Sequence, residues 1–115
     1  MLVETMPTVS CRYSGELRCV ATHQRSGAVL MTDAPIDNAG KGEAFSPTDL
    51  VATALATCML TIMGITANSR GWSIEGSTAD VDKQMTETGP RRVETLRVHL
   101  KLAQHLSEEQ RSLLQ

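Results

Sequence analysis

Cys58 is the residue whose type and placement most suggest chemistry. It lies in AFSPTDLVATALATCMLTIMGITANSRG, residues 44–71, the only long apolar stretch of the 115-residue chain. A thiolate is the nucleophilic and redox-active form of cysteine. Cys58 stands eleven residues beyond Pro47, past the first helical turn where a helix dipole favours an anion, so a thiolate there needs a cation from another element. The competing reading is an inert helix thiol, since free cysteine is among the most buried residue types. Cys11 and Cys19 complete an odd set of three at wide spacing, which makes no disulfide framework, and reduced thiols are expected. His23, His99 and His105 stand at zinc spacing neither with one another nor with the cysteines, and there is no CxxC, so no metal is expected. Gly40 and Gly42 lack the spacing of a phosphate loop. A formal net charge of −2 without a basic run speaks against a nucleic-acid partner. MLVETMP, the first seven residues, carries an acid and no apolar run of signal length, which points to the cytosol.

The element that positions Cys58 has a complete start signal. Ser46 suits the cap, Pro47 the first helical position, and Asp49 the reciprocal partner of a capping box. Asn68, Ser69, Arg70 and Gly71 supply the stop. A helix from Pro47 to Arg70 is expected, roughly 35 Å long at 1.5 Å per residue. Its residues are apolar nearly all round, which predicts burial on every side, except for the stripe Asp49, Thr53, Thr57 and Thr61, whose hydroxyls are expected to bond to the preceding turn. Leu50 to Ala67 is 18 residues without a charge, so a membrane span must be weighed. The threonines, the many alanines, the lack of an aromatic belt and the capped ends argue against it. A helix buried all round needs more cover than one small chain provides, and a second subunit is expected.

The remaining chain reads as strands and turns of a single domain. Thr8–Tyr13 and Leu17–His23 form a hairpin about Ser14-Gly15. A two-residue turn there sets Cys11 opposite Arg18, and a three-residue turn that includes Glu16 sets it opposite Cys19. Ala28–Thr32 is a third strand, and residues 32–45 are a loop that delivers the chain to the helix cap. Trp72–Lys83 is expected as a strand with a bulge near Gly76. Val93–Leu102 alternates cleanly, placing His99 on a solvated face. Ser107, Glu108 and Glu109 open a second helix.

The run GKGEAFSPTDLVATALATCMLTIMGITA, preceded by HQRSGAVLMTDAPIDNAG, closely resembles the OsmC/Ohr superfamily, whose helix begins with Ser-Pro or Asn-Pro and carries a cysteine eight residues beyond a leucine, as Leu50 and Cys58 do here. The resemblance implies an α+β fold with N-terminal antiparallel strands, a long buried central helix, further strands and a second helix, in an intertwined homodimer. It implies that the family's C-terminal segment lies beyond residue 115. It also implies reduction of organic hydroperoxides in oxidative or osmotic stress protection, with Cys58 as the nucleophile. A sulfenic acid then forms and condenses with a second thiol, and an external dithiol reopens the disulfide; no cofactor is expected. The family's thiolate partner is an arginine of the first strands, which corresponds to Arg18 or, second, Arg12.

Three departures qualify that implication. Thr48 occupies the place of the glutamate that follows the proline in peroxidatic members. No cysteine follows Cys58. The SPTDL form matches broader OsmC-like members whose substrates are less settled. The alternative is therefore a non-enzymatic stress or ligand-binding protein with an inert Cys58. A hot-dog thioesterase, which also wraps a sheet about a long helix, lacks an evident catalytic carboxylate here.

Overall fold

A computed structural model describes residues 6–115 of the chain. The chain divides into two compact units, one reaching Leu50 and the other running from Val51 to Gln115.

The first unit holds a three-stranded antiparallel sheet in the order β1 (Val9–Gly15), β2 (Arg18–His23) and β3 (Val29–Asp33). Neither anticipated hairpin register is adopted. The two loop residues are Glu16 and Leu17, at φ 55° and 62°, because the right-handed twist of paired strands favours a turn with both central residues at positive φ. Gly15, at φ 96°, serves a bulge between Tyr13 and the Gly15–Arg18 pair instead. Cys11 therefore faces Ala21, Cys19 faces Tyr13, and all three cysteines are free thiols. After β3 a single 3₁₀ turn, Ile36–Asn38, interrupts the loop that returns to the helix.

The long helix, α1 (Pro47–Ser69), forms where the cap residues place it. Asp49 N donates to Ser46 Oγ at 3.1 Å and Ser46 N donates to Asp49 Oδ2 at 3.0 Å. Thr57 Oγ1 donates to the carbonyl of Thr53 at 2.8 Å, as the threonine stripe suggests. At the far end Trp72 N donates to Ala67 O and Gly71 N to Asn68 O, with Gly71 at φ 75°. This is the glycine stop that lets the chain leave a helix with its last carbonyls satisfied.

The second unit packs the later part of α1 with the two-stranded antiparallel sheet β4 (Thr78–Met85) and β5 (Val93–Lys101) and with α2 (Glu108–Leu114). Met63, Ala67, Leu102, Ala103, Leu106 and Leu114 are its buried core, with Met59, Trp72, Ile74 and Leu100 against them. The strand anticipated from Trp72 begins only at Thr78. Gly76, at φ 89°, is a turn residue closed by Ser77 N to Ile74 O, not a bulge; a glycine at the third position of a tight turn explains the switch of apolar phase. His99 lies on the solvated side of β5, 3.5 Å from an exposed Asp82. Ser107 caps α2 with Gln110 as its reciprocal partner.

Within one chain the burial of α1 is one-sided. Ala52, Ala56, Met63 and Ala67 are buried, whereas Val51, Ile62 and Ile65 are 53%, 58% and 64% exposed. The helix is long and apolar enough to cross a membrane by length and composition alone.

Candidate functional site: an exposed helix thiol and a clamped arginine

Cys58 is exposed on α1, in the second unit. It borders an apolar groove with a volume of about 470 Å³, walled by Leu55, Met59, Ile62 and Met63 of the same helix, by Leu100 of β5 and by Leu114 and Gln115 at the end of α2. The spacing of 55, 58, 59, 62 and 63 puts these side chains on one helical face. A thiol beside such a surface meets a ligand's hydrocarbon rather than its charge. Leu100 and Leu114 are contributions that the sequence did not disclose, since only the packing of β5 and α2 brings them to the helix.

Arg18 opens β2, in the first unit, directly after the Glu16–Leu17 turn. It pairs in register with Asp33 at the end of β3. Arg18 Nη2 lies 3.6 Å from Asp33 Oδ2 and donates to Glu43 Oε1. The acids differ in setting: the Asp33 side chain is 2% exposed and that of Glu43 61%. Asp33 Oδ2 also accepts the backbone N–H of Glu43 at 3.0 Å. One carboxylate thus holds both the arginine and the loop that carries the second acid. Arg18 Nε and Asp33 Oδ1 are buried without a hydrogen-bond partner.

Arg12, the second candidate, lies on exposed β1 opposite Val20 and on the same sheet face as Arg18. It lines a small hollow with Ser10, Cys11, Val20 and Thr22. Of the two arginines, Arg18 is the one that a buried carboxylate fixes. Thr48 Oγ1 lies 3.3 Å from Ser46 Oγ, and Asp49 serves the cap. The acids beside Arg18 are instead Asp33 and Glu43, which reading the helix motif alone did not find. For Asp33 an opposed charge on a neighbouring strand was the available signal, and it became visible only with the β2–β3 register. Among the described residues no group of three or more His, Cys, Asp or Glu side chains is gathered to hold a metal.

Comparison with known proteins agrees with this architecture. A crystal structure from Psychrobacter arcticus 273-4, of a protein named for an osmotic stress induced and detoxification response, is 45% identical and superposes with a TM-score of 0.88 over 99% of this chain and 82% of that one. A Legionella pneumophila protein named as an organic hydroperoxide resistance protein OsmC shares the fold at 18% identity, with a TM-score of 0.68 over 96% of this chain and 80% of that one. A Vibrio cholerae protein named for organic hydroperoxide resistance, with captopril bound in one of its active sites, does so at 20% identity, with a TM-score of 0.65 over 97% and 77%. No curated protein matches the chain. The OsmC-like protein family matches residues 40–115, from the glycine before the helix motif through α2. With that match and the 45% identity over nearly its whole length, the chain belongs to the OsmC-like protein family.

Proposed function

We propose that this protein is a cytoplasmic, thiol-dependent peroxidase that reduces organic hydroperoxides in stress protection. The observation that carries the reading is the exposed Cys58 thiol at the edge of an apolar groove. Such a mostly apolar surface suits the alkyl or aryl part of an organic hydroperoxide better than hydrogen peroxide itself. The names of the structural relatives support a stress-related role for the family.

In the proposed reaction the Cys58 thiolate attacks a peroxide oxygen. An S–O bond forms, the O–O bond breaks, and the leaving alkoxide takes a proton to become the alcohol. Sulfur is thereby oxidised by two electrons to the sulfenic acid. A thiol then displaces water to give a disulfide, and exchange with an external dithiol returns Cys58 to the thiolate. The attacking thiol comes from that dithiol or from Cys11 or Cys19. Arg18 is proposed as the cation that favours the thiolate. A homodimer is part of the proposal, and the exposed Val51, Ile62 and Ile65 of α1 support a second copy as their cover.

A second reading draws on the clamped arginine. Arg18 faces two carboxylates, so its charge is already offset, which favours an OsmC-like ligand-binding protein with an inert Cys58. Intact mass spectrometry separates the two. The reduced protein and Cys58→Ser are exposed to one equivalent of cumene hydroperoxide with dimedone present. A dimedone adduct formed in the parent and absent from Cys58→Ser is expected; a parent mass unchanged over minutes leaves the binding protein.

A further inference from the structure

We infer that Met59 is a second oxidation site of this protein, a thioether that an organic hydroperoxide held in the groove converts to the sulfoxide, which closes the groove to further substrate. This rests on the reading of the groove as the place where the hydroperoxide's hydrocarbon part lies. Cys58 and Met59 are consecutive residues of α1, and both line that groove, as does Met63. An occupant packed on Leu55, Ile62 and Leu100 brings its peroxide group to a wall that holds sulfur in two oxidisable forms, thiol and thioether.

The methionines differ in access. Met63 is 7% exposed and belongs to the buried core of the second unit, whereas Met59 is half-buried, packs at the margin of that core and opens to the groove. Met6 and Met31, outside the groove, are 62% and 49% exposed. A reagent that only samples the surface meets Met6 and Met31 first. One held in the groove meets Met59.

In the inferred step a lone pair of the Met59 sulfur attacks the terminal peroxide oxygen. An S–O bond forms, the O–O bond breaks, and the departing alkoxide takes the hydroperoxide's own proton to leave as the alcohol. The thioether is oxidised by two electrons and the hydroperoxide is reduced by two. A thiolate is the stronger nucleophile, so Cys58 reacts first and Met59 follows when hydroperoxide outruns the dithiol. The product is a polar group in a mostly apolar wall, and its desolvation opposes the burial of hydrocarbon. A methionine sulfoxide reductase returns the thioether, so the modification acts as a reversible brake.

The test maps oxygen uptake at each methionine by peptide mass spectrometry in the full-length Cys58→Ser variant, where the faster thiol is absent. The variant is treated in parallel with hydrogen peroxide and with cumene hydroperoxide. Hydrogen peroxide is expected to follow exposure, with Met6 and Met31 ahead of Met59. Cumene hydroperoxide is expected to reverse that order, with Met59 about tenfold faster than Met31, the advantage of a bound reagent over a colliding one. The same order with both oxidants overturns the inference.

A second measurement follows cumene hydroperoxide turnover with dithiothreitol by the parent and by Met59→Leu, a volume-conserving change. Each is assayed before and after a large excess of hydroperoxide, and again after treatment with methionine sulfoxide reductases, against its own starting rate. The parent is expected to lose rate and to regain part of it with the reductases, and Met59→Leu to regain none. No regain in the parent, or an equal regain in both, overturns Met59 as the brake. A parent without turnover at the outset refutes the peroxidase reading, while the order of methionine oxidation in Cys58→Ser still decides whether Met59 is the oxidation site.

Discussion

Ser46 and Asp49 close the start of α1 on each other, each donating its backbone N–H to the other's side chain, at 3.0 and 3.1 Å, with Ser46 only 1% exposed. Burial raises the value of this cap, because no water can replace the lost acceptor. Ser46→Ala is expected to lower stability by about 1–2 kcal/mol, at the upper end for a helix cap, and urea denaturation followed by circular dichroism measures it. A loss within 0.3 kcal/mol of zero, against the roughly 1 kcal/mol typical of such caps, would show that the box is ornamental.

The apolar groove beside Cys58 makes a prediction about selectivity. Met59→Gln keeps the length of a wall residue and introduces an amide, whose desolvation opposes hydrocarbon binding by about 1–2 kcal/mol. The ratio of kcat/KM for cumene hydroperoxide to that for hydrogen peroxide is expected to fall roughly tenfold, from a parent value well above unity. Steady-state kinetics with both peroxides checks this. An unchanged ratio would mean that the substrate does not use the groove.

The sequence was most informative where structure is local. The two ends of α1, the alternation of β5 and the Ser107 cap of α2 follow from residues a few positions apart, and each formed. Arg18 and Cys58 could be nominated as candidates because the helix motif is specific. Asp33 could not, because it reads as a loop residue in the sequence and its link to Arg18 depends on the pairing of β2 with β3. The same limit applies to Leu100 and Leu114, which share the groove through packing rather than pattern. An all-apolar helix predicts burial without saying what provides it, and in a single chain α1 is covered on one side only.

Gly40 is the tightest point of the loop that carries Glu43. A Cβ there would lie 1.7 Å from the Ala34 carbonyl oxygen and 2.1 Å from its carbon, whereas one at Gly27 would meet nothing within 4 Å. Gly27→Ala is expected to cost about 1–2 kcal/mol from its positive φ alone. Gly40→Ala must displace backbone and is expected to cost more, about 2–4 kcal/mol. It should also speed amide exchange at Gly42 and Glu43, whose N–H groups donate to Ala34 O and Asp33 Oδ2. Equal costs for the two variants would show that the loop gives way freely.

The Glu16–Leu17 turn sets the β1–β2 register and with it the placement of Arg18, yet it uses two residues that disfavour the left-handed region. Asparagine tolerates that region and valine does not. Glu16 is solvent-exposed, so little packing is lost on substitution. Glu16→Asn is expected to stabilise the protein by about 0.5–1 kcal/mol and Glu16→Val to destabilise it by about 1–2 kcal/mol. Guanidinium denaturation of the pair reads the difference. Two variants of equal stability would mean that position 16 does not hold its φ of 55° in solution, and the Tyr13–Cys19 and Gly15–Arg18 registers would then have to rest on the strands alone.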